Sequence, residues 1–255
     1  MVRLPRRLGH GEEAELAEHL DELRGRLFVM IGAVLVGTVV AYIFRNNVLD
    51  WLNSPLPEGK KLVTLGVAEP FTTTITVCVY AGFVAALPVI LWQVWSFFAP
   101  AVEARIERKI IALVACSVAL GAVGVWFGHA LLLPRAIHFL TNYDTQHFEN
   151  LVQAKPYYNF VVTILLGIVV IFQTPLVILG LVAIGVLSSR TLRKQRRLGY
   201  FITAAVALAL PGPDFVTTML ELLPMWILFE ASIWVAVLYE RRRKKVISSS
   251  ATLGA

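Results

Sequence analysis

Charged residues are scarce in this chain: Asp, Glu, Lys and Arg make up 16% of its 255 residues, where about a quarter is usual for a soluble domain. So little charge cannot clothe a water-facing surface. With 57% of residues hydrophobic, most of the apolar surface must face lipid or other lipid-facing helices. Cysteine is nearly absent: Cys78 and Cys116, each inside an apolar stretch, can build neither a disulfide framework nor a zinc cluster. Catalytic signatures are missing too. No Gly-x-Ser-x-Gly, no His-Glu-x-x-His and no pair of intramembrane aspartates occurs, which removes the intramembrane proteases and leaves no catalytic residue to name. His129 and His138, with Pro134 between them, read as interfacial polar groups rather than ligands, so no metal or cofactor is expected. There is no nucleotide-binding loop, so energy for any transport must come from outside the chain. There is also no internal repeat, and the surroundings of Pro88 and Pro175 do not match. That argues against an inverted-repeat transporter of small solutes, the alternative function kept in view.

What is present is hydrophobic length. Apolar windows run over 27–44, 74–98, 110–133, 160–187, 198–210 and 215–239, six candidate spanning helices of an all-α, multi-pass membrane protein. The basic residues mark its sides. The N-terminal tail, the loops after the second and fourth windows and the C-terminal tail hold 18 of the 23 Lys and Arg. By the positive-inside bias both termini are cytoplasmic, in a cell (inner) membrane; the same distribution speaks against nucleic acid as a partner. The first apolar run is long enough to stay in the bilayer, and no cleavable leader is read. One integral membrane domain over 1–255 is expected, with a basic tail at 240–255. Prolines at membrane depth (Pro88, Pro134, Pro175, Pro224) bend helices and favour a cupped, concave bundle.

Two segments stand out physically. Window 198–210 has 13 residues, roughly 20 Å of helix against about 30 Å of hydrocarbon. After Pro211-Gly212-Pro213, the sixth helix enters with Asp214, Thr217, Thr218 and Glu221, so both arms of this hairpin are short and must thin the bilayer or recruit partners. At the other end, Leu16, Leu20, Leu23 and Leu27 form the stripe of an amphipathic helix over 12–26, placed at the cytoplasmic interface. Its middle is acidic, with Glu15, Glu18, Asp21 and Glu22, where interfacial helices usually show Lys and Arg. An acidic patch there suits a cationic partner. The plainer alternative is a solvated face in which Glu22 and Arg26 are ordinary i, i+4 neighbours.

The run His19-Leu20-Asp21-Glu22-Leu23-Arg24-Gly25-Arg26-Leu27 resembles the N-terminal signature of the TatC family, the multispanning receptor subunits of the twin-arginine protein translocase. Ser54-Pro55-Leu56, Glu69-Pro70-Phe71, the stretch from Leu87 to Pro100, Glu107-Arg108-Lys109, Phe172-Gln173-Thr174-Pro175, Arg193 to Arg197, Pro211 to Asp214 and Leu228-Phe229-Glu230 are similar to the same family's motifs in order and spacing. The resemblance covers residues 16 to 240. It implies a Sec-independent translocase subunit that recognises twin-arginine signal peptides of folded proteins. It also implies assembly with single-span TatA- and TatB-type proteins, homo-oligomers within the receptor complex, and export driven by the proton gradient.

By the same resemblance Glu22 and Glu107 bind the signal, with Glu103 competing for the second role. Phe97 and Pro100 flank that surface, and Arg24 orients the tail helix or a carboxylate. Asp214, Thr217 and Thr218 stand in the partner-binding polar cluster, and Glu230 is an intramembrane polar group or a carboxylate paired with a tail arginine. The chain departs from the family at Gln173, where a glutamate is usual, and at Thr76, where a lysine is expected. Glutamine can hydrogen-bond across a helix interface but carries no titrating charge.

Overall fold

The structure is a computed structural model that describes residues 11–57, 59–98, 107–143, 146–147, 151–183, 185–210 and 215–253, with 11–19, 98, 107–110 and 242–253 described by backbone alone. Its elements are α1 (Gly11–Ile43), α2 (Arg45–Asn53), α3 (Glu69–Phe98), α4 (Glu107–Phe127), a π-turn (Gly128–Leu132), α5 (Leu133–Asn142), α6 (Ala154–Phe172), α7 (Thr174–Ala183), α8 (Ser189–Lys194), α9 (Arg196–Ala209) and α10 (Phe215–Leu253). Among the described residues, five stretches are long and apolar enough to cross a membrane: Leu20–Ile43, Glu69–Phe97, Ile111–Asn142, Ala154–Ala183 and Phe215–Arg241. The sixth apolar helix, α9, has 14 residues, about 21 Å of rise, and falls short of that length.

The acidic tail does not form a separate interfacial helix. It runs into the first apolar segment as one α1 of 33 residues, because the join around Gly25 holds no proline and its neighbours are good helix formers. Prolines act in two ways. Pro88 and Pro224 lie inside continuous helices. Pro134 instead follows the π-turn, where the Leu133 N–H reaches back to Gly128 O, and Pro175 follows the break between α6 and α7 at Gln173. Two short helices, α2 and α8, lie outside the expected windows.

α6 is the most enclosed element; Val161, Ile164, Ile168 and Val169 on it are fully buried. It packs against α3 and α4, while α10 packs on α7 and α9. α1 lies along α3, and the two approach through glycines. A Cβ on Gly37 would come 2.6 Å from the Gly82 carbonyl, and one on Gly82 would collide with the backbone and hydroxyl of Thr38.

At the end of the bundle where α3 and α6 begin, a clasp joins two loops. Val63 N–H donates to Val152 O at 2.9 Å, and Ala154 N–H donates to Val63 O at 2.8 Å. The Glu69 carboxylate accepts from the N–H groups of Leu65, Gly66 and Lys155 and from Gln153 Nε2, at 2.9 to 3.2 Å. α2 is fastened beside it: Tyr157 Oη donates to Leu52 O at 2.9 Å, and His129 stacks on Trp51 with ring centroids 3.9 Å apart.

Candidate functional site

Glu22 and Arg26 lie one turn apart on α1, where an i, i+4 pair faces the same side. Arg26 donates to Glu22 Oε1 from both Nε, at 3.0 Å, and Nη2, at 2.6 Å. The guanidinium also reaches the last turns of α3: Nη1 donates to Gln93 O and Oε1 at 3.3 and 3.2 Å, and Nη2 to Ser96 O at 3.3 Å. Carbonyls at a helix C-terminus lack intrahelical donors and carry the negative end of the dipole, so a cation is at home there. Arg26 therefore fixes Glu22 beside the end of α3. The Glu22 side chain keeps 39% of its surface exposed, against 21% for Arg26, so the acidic side chain is the more accessible member of the pair while its anchor is largely covered.

Ser96 precedes Phe97, which is partly buried, so Glu22 and Phe97 come to the same end of the bundle. Arg24 points elsewhere, its guanidinium over the Phe28 ring at 5.7 Å from the centroid. The residue that holds the carboxylate is thus Arg26, which the i, i+4 spacing already paired with Glu22. Pro100 and Glu103 lie outside the described residues, and Glu107 opens α4 with its backbone alone described.

The intramembrane groups form separate clusters. Gln173, at the break between α6 and α7, donates from Nε2 to Ser117 O at 3.1 Å, and Trp95 Nε1 donates to Ser117 Oγ at 3.2 Å. Gln173 Oε1 is buried without a hydrogen-bond partner at a cavity of about 150 Å³ lined by Trp95, Leu176, Val177 and Gly180. The amide thus links α6 to α4 where a carboxylate would bring a charge to be satisfied. Glu230 on α10 accepts from Arg196 Nη2 at 3.0 Å and from Tyr200 Oη. Among the described side chains its partners are thus an arginine at the start of α9 and a tyrosine one turn further on.

Asp214 lies outside the described residues. Thr217 is buried and Thr218 half-buried, and Glu221, one turn beyond Thr217, is fully buried. The spacing of Thr217 and Glu221, four residues or about one helical turn, puts both on one face of α10. No group of three or more His, Cys, Asp and Glu able to hold a metal occurs among the described residues.

Comparison with known proteins gives a consistent match. Residues 18–224 match the family model described as TatC, Sec-independent protein translocase protein. The chain is 33% identical over 242 residues to the Sec-independent protein translocase protein TatCd of Bacillus subtilis (strain 168), covering 94% of this chain and 99% of that one. It is 34% identical over 238 residues to TatC of Aquifex aeolicus (strain VF5), covering 91% and 98%. To TatC of Escherichia coli (strain K12) it is 31% identical over 228 residues, covering 88% of each. The crystal structure of the twin-arginine translocase receptor TatC superposes with a TM-score of 0.74 at 30% identity, covering 86% of this chain and 98% of that one.

Proposed function

The chain belongs to the TatC family of Sec-independent protein translocase proteins, and from that premise we propose that it is the receptor for twin-arginine signal peptides. The protein is a membrane-embedded protein-transport subunit. The relatives named above are all translocase proteins, which leaves a small-solute transporter without support. In this proposal both termini face the cytoplasm of the cell that carries the protein. The signal then meets α1 and the end of α3 on the side where it is made.

The observation that carries the proposal is the carboxylate of Glu22, exposed yet held by Arg26 against the end of α3. A guanidinium offers a rigid fork of donors to such a carboxylate, while a lysine ammonium offers a point charge. Glu107 at the start of α4, or Glu103 in the stretch before it, supplies the second acceptor, and Phe97 and Pro100 offer apolar surface where the signal's hydrophobic part begins. TatA- and TatB-type single-span proteins and further copies of this chain complete the assembly, with Asp214 and the half-buried Thr218 as contacts, while Thr217, buried within the chain, supports the start of α10 rather than meeting a partner. Export draws on the proton gradient.

The test is crosslinking of a signal carrying Arg-Arg to the chain in inverted membrane vesicles. Replacing Glu22 and Glu107 together by Gln removes two charged acceptors, each worth about 1.5–3 kcal/mol, so binding should weaken by roughly two decades or more. Protein that inserts normally and crosslinks as well as before would overturn the assignment.

A further inference from the structure

At the end of the bundle opposite the two termini, a cavity of about 560 Å³ opens among α2, the loop after it and the first turns of α3 and α6. Its lining includes Lys60, Lys61, Asn53, Thr73, Thr74 and Tyr158, and the two lysines are the only charged residues in that lining among the described residues. Glu69, close by in sequence, is occupied by the four donors of the clasp. Two oxygens on lining residues, Asn53 Oδ1 and Thr73 Oγ1, are buried without a hydrogen-bond partner, and Thr73 is only 5% exposed. A buried polar atom without a partner is unfavourable, and a ligand that brings a donor relieves it.

Depth narrows the ligand class. Thr73 and Tyr158 belong to the first turns of two membrane-crossing stretches, at the level of lipid headgroups. One turn deeper along the same helices lies a second cavity of about 430 Å³, lined by Trp51, Leu52, Val77, Tyr80, Val162 and Leu165. A polar cavity with lysines above an apolar one suits an anionic amphiphile.

We propose that this pair of cavities binds an anionic phospholipid of the phosphatidylglycerol type. Its phosphate lies against Lys60 and Lys61, its glycerol hydroxyls donate to Asn53 and Thr73, and an acyl chain lies in the apolar cavity. A phosphocholine head has no N–H or O–H donor for those two oxygens and no net charge for the lysines. The site is distinct from the signal-binding surface and stands whether or not Glu22 binds the signal.

The experiment is native mass spectrometry of the purified chain in detergent with equal amounts of phosphatidylglycerol and phosphatidylcholine. The expected result is selective retention of phosphatidylglycerol, reduced about tenfold by the paired change Lys60→Ser and Lys61→Ser, which removes two charge-assisted contacts. Thr73→Val, which keeps the volume and removes the hydroxyl, should lower it further, while Arg135→Ser on α5, outside the cavity, should leave it unchanged. Glycerol 3-phosphate, which carries the head without chains, should not displace the lipid. Equal retention of the two lipids, full retention by the double lysine variant, or an equal loss in the Arg135 variant would overturn the site. Displacement by glycerol 3-phosphate would overturn the assignment to a lipid and favour a soluble phosphate ester.

Discussion

Arg26 makes five hydrogen bonds to four acceptors on two helices, and that geometry is what a lysine cannot copy. With its orientation fixed, the Glu22 carboxylate presents a planar acceptor and favours a planar donor; released, it would pair with any cation. Arg26→Lys keeps the charge but loses the fork. The expected outcome is about a tenfold loss of crosslinking to an Arg-Arg signal, with a smaller loss for a Lys-Lys signal, so that the ratio between the two falls. A uniform loss for both signals would mean that Arg26 only stabilises the fold. The pairing of Glu22 with Arg26 was legible in the sequence, since four residues is one helical turn. The acceptors on α3 were not, because they lie 67 and 70 residues away and backbone carbonyls leave no trace in side-chain identity. Glu69 repeats the pattern: its motif was visible, but the donors of Gln153 and Lys155 that make it a clasp come from another loop.

Helices carry the same lesson one level up. The apolar windows located the crossing segments, because hydrophobic length is a property of sequence alone. Their breaks were less legible. Four prolines gave two uninterrupted helices and two that follow an interruption; Pro134 and Pro175 sit in the first turn of their helices, where the missing N–H has no intrahelical acceptor to lose. Close packing of α1 on α3 rests on Gly37 and Gly82, whose backbones meet with no room for a Cβ. Small residues let helix backbones approach in a membrane, where lipid supplies no hydrophobic drive for association. Gly82→Ala would therefore force the helices apart, at about 1–3 kcal/mol for an overpacked contact, seen as earlier thermal unfolding of the purified protein in detergent. Because Arg26 bridges the same two helices, crosslinking to the signal should weaken with it. An unchanged melting temperature would mean that α1 moves aside without strain.

Across the whole molecule, the short α9 is the feature that sets the protein against its bilayer. At about 21 Å against roughly 30 Å of hydrocarbon, α9 cannot span without thinning the membrane or burying its end in protein. The structure shows part of the second: Ala207 is fully buried, and Leu210 fills the space beside Gly167 on α6, where a Cβ would collide with it. Length and docking are therefore entangled, and they make different predictions. Inserting four leucines after Leu208 adds about 6 Å of helix, and mismatch is worth a fraction of a kcal/mol per Å. Removing about two thirds of the mismatch thus shifts the balance by about a few kcal/mol. If local thinning serves export, the lengthened protein should insert normally and export a folded substrate about tenfold less well in membrane vesicles. Leu210→Ala leaves the length alone and empties the space beside Gly167. It should export near normally if thinning is what matters. Equal losses in both variants would place the effect in the docking of α9 on α6, since that contact is what the two changes have in common.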